Sequence, residues 1–369
     1  MYDVRFTMYD VRCTIYDVRF TMYDVRCTMY DVRCTMYDLR CTMYDFHHFT
    51  ISPFHHFTIS PFHHFLMKEE IRRLALELGF DVCGFAAARP MDHLRDFYGQ
   101  FINEERQASM AYLKRYTTQR LDPDILLPGV KTVIALLMNY YPPELITEQD
   151  NFIISKYAYG KQYPPYIKKK LKPLAEFIDS SGKTTSKSKI FVDSGPVLEK
   201  AWAGRCGIGW QGKNTVIINP SRGSFFFIGI ILTSLEIEPD AAETDHCGTC
   251  TRCMEACPTG AIDRPYQLNI RRCISYCNIV DKGEMADDIR LKLGHRIFGC
   301  DICQDVCPYN RFAKPTAEKH FHPSEALKNM RRNDWLSLTE AEFKTLFEES
   351  SVSERGYEGL LRNVMECCR

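Results

Sequence analysis

Hydrophobic and polar positions follow three regimes along the chain. Over residues 1–66 they repeat. Met-Tyr-Asp-Val-Arg-Phe/Cys-Thr recurs from Met1, Met8, Ile15, Met22, Met29, Met36 and Met43, and Phe-His-His-Phe-Thr-Ile-Ser-Pro from Phe46 and Phe54. A period of seven inverts the two faces of a strand at every repeat. As a heptad it is weak, since Val, Thr, Tyr, Phe and Asp are mediocre helix formers and no Glu/Lys pairs flank the seam. Pro53 and Pro61 interrupt any helix that would align the His pairs into a metal site. The segment reads as translated tandem repeats, expected to be disordered or to lie ahead of the native start at Met67. No function is assigned to it.

The second regime has the mixed periods of a packed domain. Ile71, Leu74 and Leu78 share one helical face, and Gly79 marks its end. Phe80–Phe85 reads as a short strand and 91–120 as polar helix with Tyr112, Lys114, Arg115 and Arg120 clustered. Lys131–Tyr141 is continuously apolar, as a buried strand requires, and Pro142-Pro143 closes it. Four tyrosines (157, 159, 163 and 166) precede a basic helix, Lys168–Lys172. A polar loop over 179–189 leads to a strand, Ile190–Asp193, and a helix from about Pro196 to Cys206. The glycine-rich Gly207–Asn214 precedes two strands, Thr215–Ile218 and Phe225–Leu232, joined by the turn Asn219–Gly223. This predicts an α/β domain. From His246 the chain becomes cysteine-rich, and from Ala313 it forms short polar helices. The expected domains are 67–240, 241–312 and 313–369.

Removing the repeat changes the composition. The full chain has 369 residues, 17 cysteines and zero formal net charge; residues 67–369 keep 13 cysteines, 41 basic and 40 acidic side chains. Zero net charge gives no bulk attraction for a polyanion, leaving only local basic patches. No stretch reaches the roughly 20 apolar residues of a membrane helix, and the N-terminus lacks a secretory signal. A cytoplasmic location follows, where so many thiols are expected to bind metal rather than form disulfides.

Cys247-x2-Cys250-x2-Cys253-x3-Cys257-Pro258 has the bacterial ferredoxin spacing, in which the fourth cysteine serves the neighbouring cluster. Cys300-x2-Cys303-x3-Cys307-Pro308 repeats it without its first cysteine, which Cys273 supplies from upstream; Cys277 is the local rival. The crossed assignment gives Cys247, Cys250, Cys253 and Cys307 to cluster one. Cluster two takes Cys257, Cys273, Cys300 and Cys303. Zinc is the competing occupant of Cys-x2-Cys pairs, but a four-cysteine run closed by Cys-Pro and then repeated favours two 4Fe–4S clusters.

Clusters carry electrons without choosing a substrate. Asp193-Ser-Gly-Pro196 places a carboxylate at a strand's end, which an ordinary helix N-cap would also explain. Gly207–Asn214 contains Gly-x-Gly-x-x-Gly but does not open a helix after a strand, so a Rossmann reading fails. Taken together, several segments resemble the epoxyqueuosine reductase family. They are Leu127–Lys131, Val192–Lys200, Gly207–Thr215, Ile218–Pro220, Gly223-Ser224, Arg272–Tyr276, Arg296–Gln304 and Gly356–Asn363.

The resemblance implies an α+β molecule. It would comprise an N-terminal α/β cobalamin-binding domain with a nitroreductase-like sheet, a two-cluster ferredoxin-like domain and short C-terminal helices. It further implies reduction of epoxyqueuosine at the tRNA wobble position, with electrons passing from the clusters to cobalamin. Asp193 becomes the proton donor, on the expectation that it is partly buried with a raised pKa. Cobalamin contacts are expected from Ser155, Lys156, Tyr157, Lys213, Asn214, Ser275 and Asp301. The implied partners are a tRNA anticodon stem-loop and a flavodoxin- or ferredoxin-type electron donor, with the enzyme a monomer. One departure stands out: the family's Gly-x-Asp-Tyr-His reads Gly160-Lys-Gln-Tyr-Pro164 here. RNA contacts are sought at Lys168–Lys172, at Arg271-Arg272 and at Arg290, Lys292, His295 and Arg296. The alternatives are a related reductase of small molecules, such as a reductive dehalogenase, and an inactive or electron-carrying homologue.

Overall fold

The computed structural model describes residues 60–147, 151–181 and 186–369, and three strands within the repeat. The chain divides into two units, residues 1–59 and 60–369. In the first unit Arg5–Cys13, Arg19–Cys27 and Val32–Thr35 are strands, so the seven-residue period does not exclude strand structure. Arg5 pairs with Arg19 in parallel, an offset of two repeats, which restores the alternation that one repeat would invert; register shifts interrupt the ladder. For residues 1–4, 14–18, 28–31 and 36–59 the expectation of disorder lies outside the described residues.

In the second unit a helix runs Ser60–Glu77, beginning ahead of Met67. Pro61 does not break it, because in the first turn its missing N–H has no partner to lose. The main sheet has the strand order Val82–Ala87, Thr132–Asn139, Phe226–Thr233, Ser188–Phe191. Every neighbouring pair is antiparallel. The expected α/β character is therefore corrected to a mixed fold around an antiparallel sheet. The two central strands are apolar between their polar ends, Thr132, Asn139 and Thr233, because both sheet faces are covered. On one face Ile134, Leu136, Phe227 and Ile231 pack against Ile71 and Ala75 of the first helix and Ile167, Leu171 and Leu174 of the helix Tyr163–Ser181. On the other, Val133, Ala135, Leu137 and Ile230 meet Met91, Leu121 and Trp202. The expected helix over 91–120 is instead several short pieces, the longest Arg95–Asn103.

A third core joins the distant parts of this unit. Ile153–Ile154 pairs in parallel with Arg296–Phe298, and Trp335, Phe343, Phe347, Leu360 and Val364 of the C-terminal helices pack on this pair. The short polar helices thus cover the joint between the sheet and the cysteine-rich segment. No helix among the described residues is long and apolar enough to cross a membrane.

Gly84 shows how closely the second face is packed. A Cβ there would lie 2.1 Å from the Cys206 carbonyl oxygen and 2.5 Å from Ile208 Cγ2. Gly84→Ala is expected to lower unfolding free energy by about 1–3 kcal/mol through overpacking, measured by denaturant titration.

Candidate functional site

The cysteines separate into two groups. Cys247, Cys250, Cys253 and Cys307 line one cavity of about 230 Å³. Cys257, Cys273, Cys300 and Cys303 line another of about 360 Å³. Each group draws from both cysteine runs, because the one-turn helices Arg252–Glu255 and Ile302–Asp305 pack together and exchange their trailing cysteines. Cys273 reaches the second group from the N-cap of the helix Ile274–Ile279. Cys277 is buried beside Tyr276 and Ile289, its Sγ on the Arg271 carbonyl at 3.4 Å, and does not line the cavity. Among the described residues no three His, Cys, Asp or Glu side chains gather tightly enough for a single metal ion. Each quartet supplies the four thiolates that one 4Fe–4S cluster takes. Trp210 Nε1 donates to Cys247 Sγ at 3.4 Å and the Ala261 N–H to Cys257 Sγ at 3.3 Å, bonds of the kind that tune cluster potential.

The second cavity has two unlike walls. Tyr140, Tyr157, Tyr163, Phe226 and Phe227 form one, and the cysteine quartet with Ser275 and Asp301 forms the other. A slot with an aromatic wall and a polar rim suits a flat macrocycle fringed with amides, so the residues present fit cobalamin. Of the seven expected contacts, Ser155, Tyr157, Asn214, Ser275 and Asp301 line this slot. Two do not. Lys213 Nζ instead binds the Gly248 and Cys250 carbonyls at 2.6 and 3.0 Å, bracing the first cysteine loop. Lys156 Nζ pairs with Asp305 at 2.7 Å, while its N–H donates to Asp301 at 2.8 Å. Asp301 also accepts from Ser155 Oγ, so it ties the tyrosine segment to the cluster loop.

Asp193 stands two residues beyond the strand that ends at Phe191, with a left-handed φ of +48°. It caps no helix, since the next one begins at Glu199 with Leu198 as N-cap. The Asp193 N–H donates to Glu199 Oε1 at 2.7 Å, and Oδ2 accepts from the Tyr163 hydroxyl at 2.5 Å. Lys168 Nζ donates to Ser194 Oγ at 2.5 Å. The expectation of a partly buried Asp193 is corrected: the residue is exposed, and the more buried carboxyl is Glu199. Burial, followed by the Asp193 charge, pushes the Glu199 carboxyl up to about 7. Burial and Asp193 likewise push the Tyr163 hydroxyl up, which keeps it a neutral donor near pH 7. Lys200, another residue of the slot, is exposed.

Sequence reading missed Tyr163 and Glu199. Both signals were present, since Tyr163 is retained, with Gly160, in the altered Gly160–Pro164 segment and Glu199 lies inside Val192–Lys200. The altered neighbours serve structural ends. Gln162 is held through its backbone, its N–H donating to the Glu349 carbonyl at 2.6 Å and its carbonyl lying 3.1 Å from His320 Nε2. Pro164 occupies the first turn of the Tyr163–Ser181 helix, where proline is tolerated.

A family model described as epoxyqueuosine reductase QueG matches residues 120–194, and one described as a 4Fe-4S double cluster binding domain matches residues 246–310. Epoxyqueuosine reductase of Leadbetterella byssophila is 44% identical over 296 residues, covering 80% of this chain and 96% of that protein. The chain belongs to the epoxyqueuosine reductase family. The Escherichia coli epoxyqueuosine reductase is 33% identical, over 81% of this chain and 79% of its own. A crystal structure of epoxyqueuosine reductase with an epoxyqueuosine-modified tRNA-Tyr stem loop is similar at TM-score 0.73 and 33% identity. It covers 82% of this chain and 81% of that one. An epoxyqueuosine reductase structure from Bacillus subtilis, with its catalytic aspartate loop swung out of the active site, has TM-score 0.74 and 32% identity, covering 82% and 81%.

Two outcomes follow for this reductase. Cys307→Ser and Cys257→Ser should each remove one cluster, lowering iron from about eight to about four per chain, with Cys307→Ser sparing the cluster beside Tyr163; iron analysis with electron paramagnetic resonance checks this. Glu199, with its folded pKa raised, adds stability that is complete below the unfolded value near 4.5 and lost as pH rises through about 7. Melting curves from pH 5 to 8 should therefore slope down less in Glu199→Gln than in the parent.

Proposed function

We propose that this chain reduces epoxyqueuosine to queuosine in the anticodon loop of tRNA. The observation that carries the reading is Tyr163. It lines the slot shared with one cysteine quartet and also holds the carboxylate of Asp193. The same slot thus brings an electron source and an acid to one substrate.

Removing the epoxide oxygen consumes two electrons and two protons and yields an alkene and water. The carbon–oxygen bond breaks only with difficulty unless the departing oxygen is protonated. Asp193 is the proposed donor of that proton. Tyr163 donates to one carboxyl oxygen, leaving the other to carry the acidic hydrogen toward the substrate. Once the proton has gone, the same hydroxyl stabilises the carboxylate. Glu199 fixes the backbone from beneath by accepting the Asp193 N–H. The Bacillus subtilis structure with its aspartate loop displaced supports a loop that is held in place by such contacts and can leave them.

Ser155, Tyr157, Asn214, Ser275 and Asp301 would hold cobalamin in the slot. When bound, cobalamin supplies the cobalt chemistry that reduces a carbon–oxygen bond. The quartets 247/250/253/307 and 257/273/300/303 would hold the two clusters, the second nearer the substrate.

The relative bound to a modified tRNA stem loop supports RNA as substrate. Of the basic residues proposed to meet it, many are engaged within the protein. Lys170 pairs with Glu318, Arg271 with Glu105, Arg272 with Asp288 and Arg290 with Asp287. Lys168, joined to Asp193's neighbour Ser194, is the one placed to meet a phosphate beside the reacting base.

Asp193→Asn should lower kcat at least about 100-fold with iron and cobalamin content unchanged. Tyr163→Phe keeps the ring stacked on Phe227 at 4.0 Å and should lower kcat about tenfold. Both are read with an epoxyqueuosine-containing stem loop under a chemical reductant. Full activity in Asp193→Asn removes the proposed donor.

A further inference from the structure

The two quartets differ in what surrounds them. The slot beside Tyr163 belongs to Cys257, Cys273, Cys300 and Cys303. The other quartet opens on the far side of Asn214, the residue that lines both cavities. There Arg252 and Arg311 stand at the rim, both exposed. A shallower hollow of about 900 Å³ shares this rim through Arg252, Cys307 and Arg311, and its floor includes Tyr141 and Phe225.

Most charged groups nearby are already engaged. Asp305 pairs with Lys156, His246 with Glu243, and Asp245 accepts from Tyr266. Glu255, on the same wall, accepts from Thr251 Oγ1. Neither arginine has a carboxylate partner among the described residues; Arg311 rests on the Phe312 ring at 4.6 Å. Two exposed guanidinium groups stand on this hollow against one carboxylate without a cationic partner, Glu255; with an apolar floor and a cysteine quartet beside them, they leave a net positive surface for a negatively charged partner.

We propose that this face is where electrons enter, and that its occupant is a small protein electron carrier with acidic groups around its redox centre. The inference rests on the proposed reaction, which consumes two electrons per epoxide. Each electron oxidises one carrier by one step and passes through the quartet of Cys307 before that of Cys273. RNA would also be attracted to arginine. A redox carrier is favoured because the arginines rim the quartet remote from Asp193, where a nucleic acid has no bond to react.

The test uses holoenzyme with both clusters and follows the loss of visible cluster absorbance in stopped flow. This readout needs no turnover, so it stands or falls separately from the epoxide reaction. With reduced flavodoxin as donor, Arg252→Gln/Arg311→Gln should be reduced at least about fivefold more slowly than the parent at low salt. The parent should lose the same advantage between about 20 and about 300 mM salt. Reduced methyl viologen should act equally on both proteins. Arg311→Gln alone, outside the cysteine run, gives the same comparison if Arg252→Gln lowers iron content. Equal rates with flavodoxin, or a salt-independent rate in the parent, would overturn the proposal. So would a variant whose KM for the tRNA stem loop rises under viologen, since that marks an RNA surface.

Discussion

The cluster region depends on a small set of buried amide hydrogen bonds. Asn278 and Gly299 bond reciprocally, side chain to backbone, at 2.9 and 3.1 Å. This joins the helix that follows Cys273 to the residue before Cys300. Asn363 closes the arrangement from beneath, donating to the Asn278 and Ile297 carbonyls at 2.6 and 2.8 Å. Both asparagines are fully buried, where an unpaired amide would be costly, so segments some 85 residues apart in sequence are fixed in one register. Gly299 adds a steric condition. Its φ is +72°, and a Cβ would lie 2.4 Å from Ser155 Cβ. Only with glycine there can the Ser155–Tyr157 segment approach the loop bearing Cys300 and Asp301.

That close approach creates the slot. Asp301 accepts from Ser155 and from the Lys156 N–H, so one carboxylate binds the tyrosine segment to the second cysteine run. The aromatic wall joins the main sheet to its neighbours: Phe227 of the sheet stacks on Tyr163 at the start of the helix Tyr163–Ser181, and Tyr163 reaches Asp193. Core, cofactor slot and acid are thus one continuous set of contacts. The Glu199 carboxyl is the least settled group in it, being both poorly solvated and close to a second acid.

Much of this could be read from residue order alone. The central strands announced themselves by unbroken apolar runs, and the observed strands Thr132–Asn139 and Phe226–Thr233 lie within a residue or two of the expected ones. The polar stretch over 91–120 was harder, because its helices are too short to establish a period. Repeat periodicity misled in the first unit. Strand faces depend on the offset between paired repeats, and an offset of two periods preserves what one would invert.

The sequence by itself determined the cysteine inventory, the loops that carry it and the family resemblance. These are local properties: an x2 spacing bends one short loop around several corners of a cluster, whatever lies elsewhere. Tertiary structure decided which of Cys273 and Cys277 faces the slot, why Lys213 braces the first cysteine loop instead of lining the slot, and which groups surround Asp193. Those outcomes rest on contacts between residues far apart in the chain, thirty positions in the case of Tyr163 and Asp193. No period or spacing encodes such a contact; it follows from how the helices pack on the sheet and how the C-terminal Asn363 closes beneath the clusters.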